Sequence, residues 1–335
     1  MATMKQVAQR AGVSVSSVSH VLNDTRYVSP DAKTRIEEAM RELSYVPSAV
    51  ARSLKHHVTH TLGIMIPNNS NPYFAEIIRC IEGRCFAAGY NVVLCNSDDD
   101  PRKQSVYLRV LMEKRVDGLI VMSSGDSADL PELIRGANIP LVLVDRATAS
   151  TECDIVSVDH EAGGYLATRH LLELGHRRIA CIAGPENLAS GRLREAGWRR
   201  ALLEAGLAPQ DGLLQCGHFT SAGGLQAMEA LLTQPQPPSA VFACNDLMAI
   251  GALCAAHTRG LRIPEDVSVI GFDDIELSAF MSPPLTTVAQ PKQQIGALTV
   301  ELLFERLHHS RSEPCSRLLQ PALIERGSCA PIPDR

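Results

Sequence analysis

The residues of this 335-residue chain best suited to chemistry stand at the ends of short apolar runs. Asn71, Tyr73 and Phe74 come soon after LGIMIP, and Asp145 closes IPLVLVD with Arg146 directly after it. Asn245 and Asp246 follow SAVFAC, and Asp273 and Asp274 follow VSVIGF. Arg192 and Arg194 open a helical pattern after RRIACIAG, Phe219 comes directly after GLLQCGH, and Gln290 lies in the late segment PPLTTVAQP. Carboxylates and amides accept or share hydroxyl hydrogens, and a guanidinium donates several hydrogen bonds at once. Aromatic rings cover the apolar C–H face of a sugar. Any one of these residues alone reads as a solvated turn or a helix cap. Taken together they suit a small polyol.

That reading depends on elements able to gather them. LGIMIP, YNVVLCN, DGLIVMS and IPLVLVD have the continuous apolar character of buried strands, and RRIACIAG, GLLQCG, SAVFACN and VSVIGF form a second set. Amphipathic helical patterns such as YFAEIIRCIEGRCFAAG and RLREAGWRRALLEAG lie between them. This alternation predicts parallel sheets with helices on both faces, in two similar lobes. In open parallel sheets ligands bind beyond the carboxyl ends of the strands, which is where the polar residues above fall. PPLTTVAQP and the helix QQIGALTVELLFERL are expected to carry the chain back to the first lobe. The expected divisions are 61–160 plus 291–320 for the first lobe and 161–290 plus 321–330 for the second, together a body of 61–335. Asp159-His160-Glu161 reads as a helix cap, since adjacent residues at a helix start do not converge on one substrate. HHSRSEP at 308–314 reads as a surface turn.

Residues 1–46 have a different pattern. Thr3 and Gln6 fit a capping box, with Val7, Ala8 and Ala11 as a short apolar face and Gly12 as the stop. Ser14 can cap a second helix, VSSVSHVLN, whose Val18, Val21 and Leu22 face inward. Ser29-Pro30-Asp31 opens a third, with Ile36, Ala39, Met40 and Leu43 buried. Two short helices joined by a tight turn and followed by a third predict a helix-turn-helix. The second helix exposes Val15, Ser16, Ser17 and His20, which are short groups able to reach base edges. A plain helical bundle with a polar face is the simpler alternative. Residues 1–60 hold eight Lys and Arg against five Asp and Glu, and the rest hold 24 against 32. A basic head on an acidic body suggests an anionic partner for the head alone.

Between head and body lies PSAVARSLK, within a hinge and linker of 47–60. Pro47 and Ser48 open a helix well, and Val50 and Leu54 sit four apart. Isolated helices shorter than about 12–15 residues are marginal in water. This nine-residue segment is therefore expected to coil only when another surface rewards it.

The remaining composition excludes several classes. No run of apolar residues is long enough to span a bilayer, and MATMKQVAQR has no apolar signal core, so a cytoplasmic location is expected. Ten cysteines with no CxxC pair suit a reducing compartment and argue against a zinc ribbon or disulfide framework. GxxxxGK[ST], HExxH and GxSxG are all absent, so neither an enzyme, a metal nor a cofactor is expected. A transport binding protein would share the lobes but not the helix-turn-helix.

MKQVAQRAGVSVSSVSHVLN and RYVSPDAKTRIEEAMRELSYVPSAVARSLK together resemble the DNA-binding head of the LacI-type bacterial repressors. By that resemblance the second helix lies in the major groove, with Val15, Ser16 and His20 at base edges and Thr3, Ser14 and Arg26 at or near phosphates or flanking bases. The hinge helices of a homodimer would pair in the minor groove of double-stranded operator DNA. Leu54 would then be wedged into a central step, with Ala51 small enough for close approach, Lys55 beside it and Ser48 capping near a phosphate. The body resembles the periplasmic sugar-binding proteins, a fold these repressors share, and NPYF, VDRA, RLREAGW, FACND, VIGFDD and AQPKQQIG are similar to the ribose-binding members. This implies Asn71, Tyr73, Phe74, Asp145, Arg146, Arg194, Phe219, Asn245, Asp273 and Gln290 as contacts to D-ribose. Tyr73 stands where ribose binders tend to have Phe, which leaves the pentose open. The function implied is a dimeric, sugar-responsive repressor that leaves its operator when sugar separates the hinges. A purine- or other sugar-responsive regulator, with its ligand as corepressor, is the alternative. With no leucine heptad in IERGSCAPIPDR, a tetramer-forming tail is not expected.

Overall fold

The structure, a computed structural model, describes residues 2–46, 58–122, 139–145 and 153–332. Ser48, Ala51, Leu54 and Lys55 of the hinge, and Arg146 of the body, lie outside the described residues. The chain divides into two compact units, Met1–Thr59 and His60–Arg335.

The first unit is the helix-turn-helix bundle that the sequence predicts. Helix α1 (Met4–Ala11) is closed by a complete capping box: the Gln6 N–H donates to the Thr3 hydroxyl, and the Thr3 N–H donates to Gln6 Oε1 at 2.8 Å. Gly12 ends the helix at φ 65°, a left-handed value that glycine takes without strain. Ser14 accepts from the Ser17 N–H to start α2 (Val15–Asn23), and Ser29 accepts from the Ala32 N–H to start α3 (Pro30–Glu42). Val7, Val18 and Ile36 are completely buried where the three meet. Arg10 bridges to Glu42 at 2.6 Å and ties α1 to α3.

The second unit is built from two six-stranded sheets. The first begins with β1 (Thr61–Ile66), α4 (Pro72–Ala87), β2 (Asn91–Asn96), α5 (Pro101–Glu113), β3 (Gly118–Met122), β4 (Leu141–Val144) and β5 (Asp154–Val158). The chain then crosses through α6 (His160–Glu173) to β6 (Ile179–Ala183), α7 (Ala189–Glu204), β7 (Leu214–Cys216), α8 (Ser221–Leu232), β8 (Ala240–Ala243), α9 (Asp246–Thr258), β9 (Ser268–Asp273) and β10 (Thr286–Ala289). It returns through α10 (Lys292–Leu307), which packs on the first sheet. It then adds β11 (Ser316–Leu319) to the first sheet and β12 (Ala322–Ile324) to the second. The strand orders are β11-β5-β4-β3-β1-β2 and β12-β10-β9-β8-β6-β7. Every pairing is parallel except β10 with β12. Helices cover both faces, so the central strands are apolar throughout rather than alternating.

Two strands were not read as such from the sequence, for clear reasons. TTVA, read only as part of the late crossover segment, is strand β10 of the second sheet, inside the 161–290 division, and the crossing begins at α10. Its threonines are buried because their hydroxyls are satisfied: Thr287 donates to Asp246 Oδ1 at 2.6 Å, and Thr286 accepts from the Arg326 N–H. Strand β5 was hidden because it opens with a charge. Asp154 is fully buried, held by Arg306 at 2.9 Å, Arg311 at 2.7 Å and the Cys315 N–H at 2.7 Å. Burial raises its carboxyl, but the two guanidiniums outweigh this and keep it below the ordinary range. Arg311 belongs to the turn HHSRSEP, which is otherwise on the surface as read. Among the described residues, no helix is long and apolar enough to cross a membrane.

Helices α6 and α7 touch backbone to backbone. A Cβ on Gly164 would stand 2.0 Å from the Arg194 carbonyl oxygen, and one on Gly197 would stand 2.2 Å from that of Glu161. This contact fixes two residues of the site described next, His160 at the start of α6 and Arg194 in α7.

Candidate functional site

A cavity of about 700 Å³, its mouth included, opens between the carboxyl ends of the two sheets. Eight of the ten body residues singled out from sequence line it: Asn71, Tyr73, Phe74 and Asp145 from the first lobe, and Arg194, Phe219, Asn245 and Asp273 from the second. Arg146 lies outside the described residues. Gln290 does not line the cavity. It is buried beside it, accepting from the Tyr73 hydroxyl at 2.9 Å and donating to Asp273 Oδ1 at 2.7 Å. It therefore aligns two lining residues, one from each lobe.

Local backbone explains why these side chains converge. Asn71 caps α4 by accepting the Tyr73 N–H at 3.0 Å, and Asn245 caps α9 by accepting the Met248 N–H at 2.8 Å. The helix-cap reading is thus correct for the carbonyl of each amide, although both residues are buried; Asn245 Nδ2 also donates to the Phe219 carbonyl at 3.2 Å, which leaves one of its two amide hydrogens for a ligand. Asp145, Asp273 and Phe219 take φ values of 58°, 111° and 56°. Such left-handed geometry costs a non-glycine residue about 1–3 kcal/mol and persists only where the surroundings impose it.

A buried polar relay crosses the floor of the cleft. Arg194 donates from Nη1 to the Cys244 carbonyl at 2.6 Å, pairs with Asp273 Oδ1 at 3.2 Å and donates from Nε to His160 Nδ1 at 3.3 Å. Its guanidinium lies 3.8 Å from the centre of the Phe272 ring. Because arginine can only donate, Nδ1 of His160 is the acceptor, and Nε2–H donates to Asp145 Oδ1 at 2.6 Å. The relay runs Asp145, His160, Arg194, Asp273 across both lobes. Burial pushes Asp145 up, but His160 and Arg194 together hold it below the ordinary carboxylate range. Burial prevails at Asp273, which is raised despite Arg194, Gln290 and Lys292. Tyr73, buried near both carboxylates, is held well above its usual value and stays a hydroxyl donor.

Sequence reasoning missed His160, and three residues noted at strand ends but not carried forward as ligand contacts have other duties. Within Asp159-His160-Glu161, Asp159 does cap α6, accepting the Ala162 N–H at 2.9 Å, and Glu161 pairs with Arg200. His160 instead turns inward and is only 4% exposed. The partner that would have revealed it, Asp145, is 15 residues away in sequence. Arg192, Asp246 and Asp274 also stand at strand ends or helix starts but have structural duties. Arg192 donates to the Glu186 carbonyl at 2.6 Å, and Asp274 pairs with Arg326 at 2.6 Å. Asp246 is wholly buried, accepting from the Ile275 N–H, Ser278 and Thr287.

Asp246 yields a pH prediction. Burial, reinforced by Asp273, raises its carboxyl from 3.8 to about 7 against those three donors. The folded protein therefore keeps a proton that the unfolded chain has already released. Stability from this group is complete below about pH 4 and declines as pH rises toward 7. Asp246→Asn, which retains the shape and an acceptor oxygen, is expected to flatten that decline. Denaturant midpoints at pH 4.5 and 7.5 for both proteins check this, and equal slopes would refute it.

In the head, Val15 and Ser16 are exposed on the first turn of α2, with Val15 45% accessible. His20 is half-buried, its Nδ1 2.8 Å from the Thr25 hydroxyl. Arg26 is exposed in the turn that follows. Thr3 and Ser14 are exposed, and their hydroxyls serve as caps.

A helix-turn-helix unit with an open second helix, in one chain with two parallel sheets around a polar cleft, defines a regulator that reads DNA and binds a small molecule. Residues 3–48 match the bacterial regulatory proteins of the lacI family, and residues 168–329 match the periplasmic binding protein-like domain. The chain is 44% identical over 329 residues to the ribose operon repressor of Escherichia coli K12, covering 98% of this chain and 100% of that one. It is also 44% identical over 337 residues to the HTH-type transcriptional repressor PurR of Edwardsiella ictaluri, covering 99% and 98%. Among solved structures it is similar to the lac repressor dimer bound to operator and the anti-inducer ONPF, with TM-score 0.88, 30% identity and coverage of 98% and 99%. It is likewise similar to a LacI family regulator from Enterococcus faecium with bound ribose, with TM-score 0.74, 32% identity and coverage of 81% and 99%. The chain belongs to the LacI family of bacterial regulators.

Proposed function

We propose that this protein is a dimeric transcriptional repressor that holds a palindromic operator through its head and releases it when D-ribose enters the cleft. The observation that carries the ligand reading is the convergence on one cavity of Asp145, Asp273, Arg194 and two asparagine amides beside the rings of Phe74 and Phe219. Such a set matches hydroxyl groups around a small apolar ring face. The E. coli relative is a ribose operon repressor, and the E. faecium structure holds ribose. Gln290 supports the site from behind, and Arg146 would join Asp145 at the sugar.

On the DNA side, Val15, Ser16 and His20 read base edges while Thr3, Ser14 and Arg26 set the register on the backbone. The hinge acts by coupling. Burying Leu54 in a base step gains about 1.5–3 kcal/mol, and unstacking that step costs a few kcal/mol. The wedge is thus close to neutral in affinity and serves to bend the DNA, which favours a flexible pyrimidine–purine centre. Ser48, Ala51 and Lys55 support it. Sugar that draws the two lobes together separates the paired hinges and lowers operator affinity. The chain works without turnover in the compartment that holds the DNA.

The 44% identity to PurR favours a second reading, in which a purine base stacks between Phe74 and Phe219 and tightens operator binding. Calorimetry with ribose, arabinose, xylose and the purine bases separates the two. Ribose is expected to bind and purines not to, and purine binding without ribose binding would reverse the assignment.

A further inference from the structure

We propose that Lys292 is a positioning residue for the sugar cleft, clamped by Glu76 of the first lobe so that its ammonium holds the Asp273–Asp274 backbone and aims the Asp273 carboxylate into the cavity. The inference deepens the sugar reading above and rests on it.

Lys292 opens α10, where the chain crosses from the second sheet to the first. A cation is the wrong sign for a helix start, and no acidic residue in the first turn offsets it. The ammonium turns to three acceptors instead. It donates to the Asp273 carbonyl at 3.1 Å and to the Asp274 carbonyl, and it pairs with Glu76 Oε2 at 2.8 Å. Three acceptors match the three hydrogens that an ammonium has to give.

Both ends of this clamp bear on the cleft. Asp273 and Asp274 take φ values of 111° and 52° where β9 ends. Residues other than glycine keep such geometry only where the surroundings impose it. The carbonyls that Lys292 holds belong to these two residues, and the Asp273 side chain lines the cavity. At the other end, Glu76 lies on α4, three residues beyond Tyr73, which also lines the cavity. Its Oε1 accepts the Glu276 N–H at 2.9 Å, from the turn that follows β9. Glu76 thus ties α4 of the first lobe to the β9 end of the second with both oxygens, and Lys292 passes that restraint to Asp273. Gln290 joins the same two walls through side chains, and the clamp joins them through backbone. Lys292 and Glu76 stand outside the residues that line the cavity, so they act on a sugar through Asp273 and α4.

The test is calorimetry with D-ribose on the full-length protein, for wild type, Lys292→Met, Glu76→Gln and the double variant, with a thermal melt and a sugar-free operator titration of each. Each single substitution is expected to weaken ribose about tenfold, as loss of a hydrogen bond to a charged group does. The double variant is expected to be no more than about threefold weaker than the poorer single variant, because residues of one network are not additive. Operator affinity without sugar should stay at the wild-type level. Unchanged ribose affinity in either single variant would overturn the inference. So would single losses that multiply in the double variant, since the two side chains would then act separately. Weakening that simply follows a fall in melting temperature, or that takes operator affinity down with it, would overturn it in favour of a folding role. Glu76→Gln is nearly isosteric and keeps an acceptor for the Glu276 N–H, so it decides the matter by itself if Lys292→Met folds poorly. A wild type that binds no ribose would bring down the sugar reading, and the inference with it, before any variant is measured.

Discussion

Arg194→Met is expected to abolish sugar binding and to lower stability by about 3–5 kcal/mol, the range for breaking a buried charge pair from one side. Methionine fills much of the same volume over Phe272, so the loss is electrostatic rather than a cavity. Without the guanidinium, Asp273 is left buried near Asp246, its carboxyl driven further up, with Gln290 and Lys292 as its remaining support. The Cys244 carbonyl loses its donor, and His160 loses the N–H that fixes its tautomer. Asp145 in turn loses the group that orients its partner. Denaturant melts and calorimetry on the same variant measure both effects. Sugar affinity within threefold of wild type at an unchanged denaturant midpoint would show that the relay is incidental.

Gly164→Ala is expected to cost at least the upper part of the overpacking range of about 1–3 kcal/mol and to weaken sugar binding with it. The added methyl would fall 2.0 Å from the Arg194 carbonyl oxygen and 2.8 Å from its carbonyl carbon, both backbone atoms that no rotamer change can move. Relief requires α6 to shift away from α7, which draws His160 away from Arg194. Gly83→Ala is the matched control. It lies in α4, where a Cβ meets nothing within 4 Å, and is expected to stabilise by about 0.8–1.0 kcal/mol through helix propensity alone. Equal behaviour of the two variants would refute the close-packing argument.

These two cases show where sequence reasoning reached and where it stopped. Local chemistry was legible: Thr3 with Gln6, Ser14 and Ser29 announce the head because capping acts between residues a turn apart. Apolar runs announced the central strands, and the rule that ligands sit at strand ends placed Asp145, Arg194, Asn245 and Asp273 near one another. What stayed hidden depends on partners distant in the chain. Asp154 disguised β5 because its two arginines come more than 150 residues later. His160 looked like part of a cap, and only the fold brings Asp145 and Arg194 to its two nitrogens.

The central claim is that sugar in the cleft and DNA on the head oppose each other, and operator titration tests it most directly. Fluorescence anisotropy would follow the full-length protein on a palindromic duplex that it has selected from random sequences, with and without saturating D-ribose. Operator affinity is expected to fall by about 5- to 150-fold with ribose, and operator DNA to weaken ribose binding by the same factor. Operator affinity that ribose leaves unchanged, or raises, would contradict it.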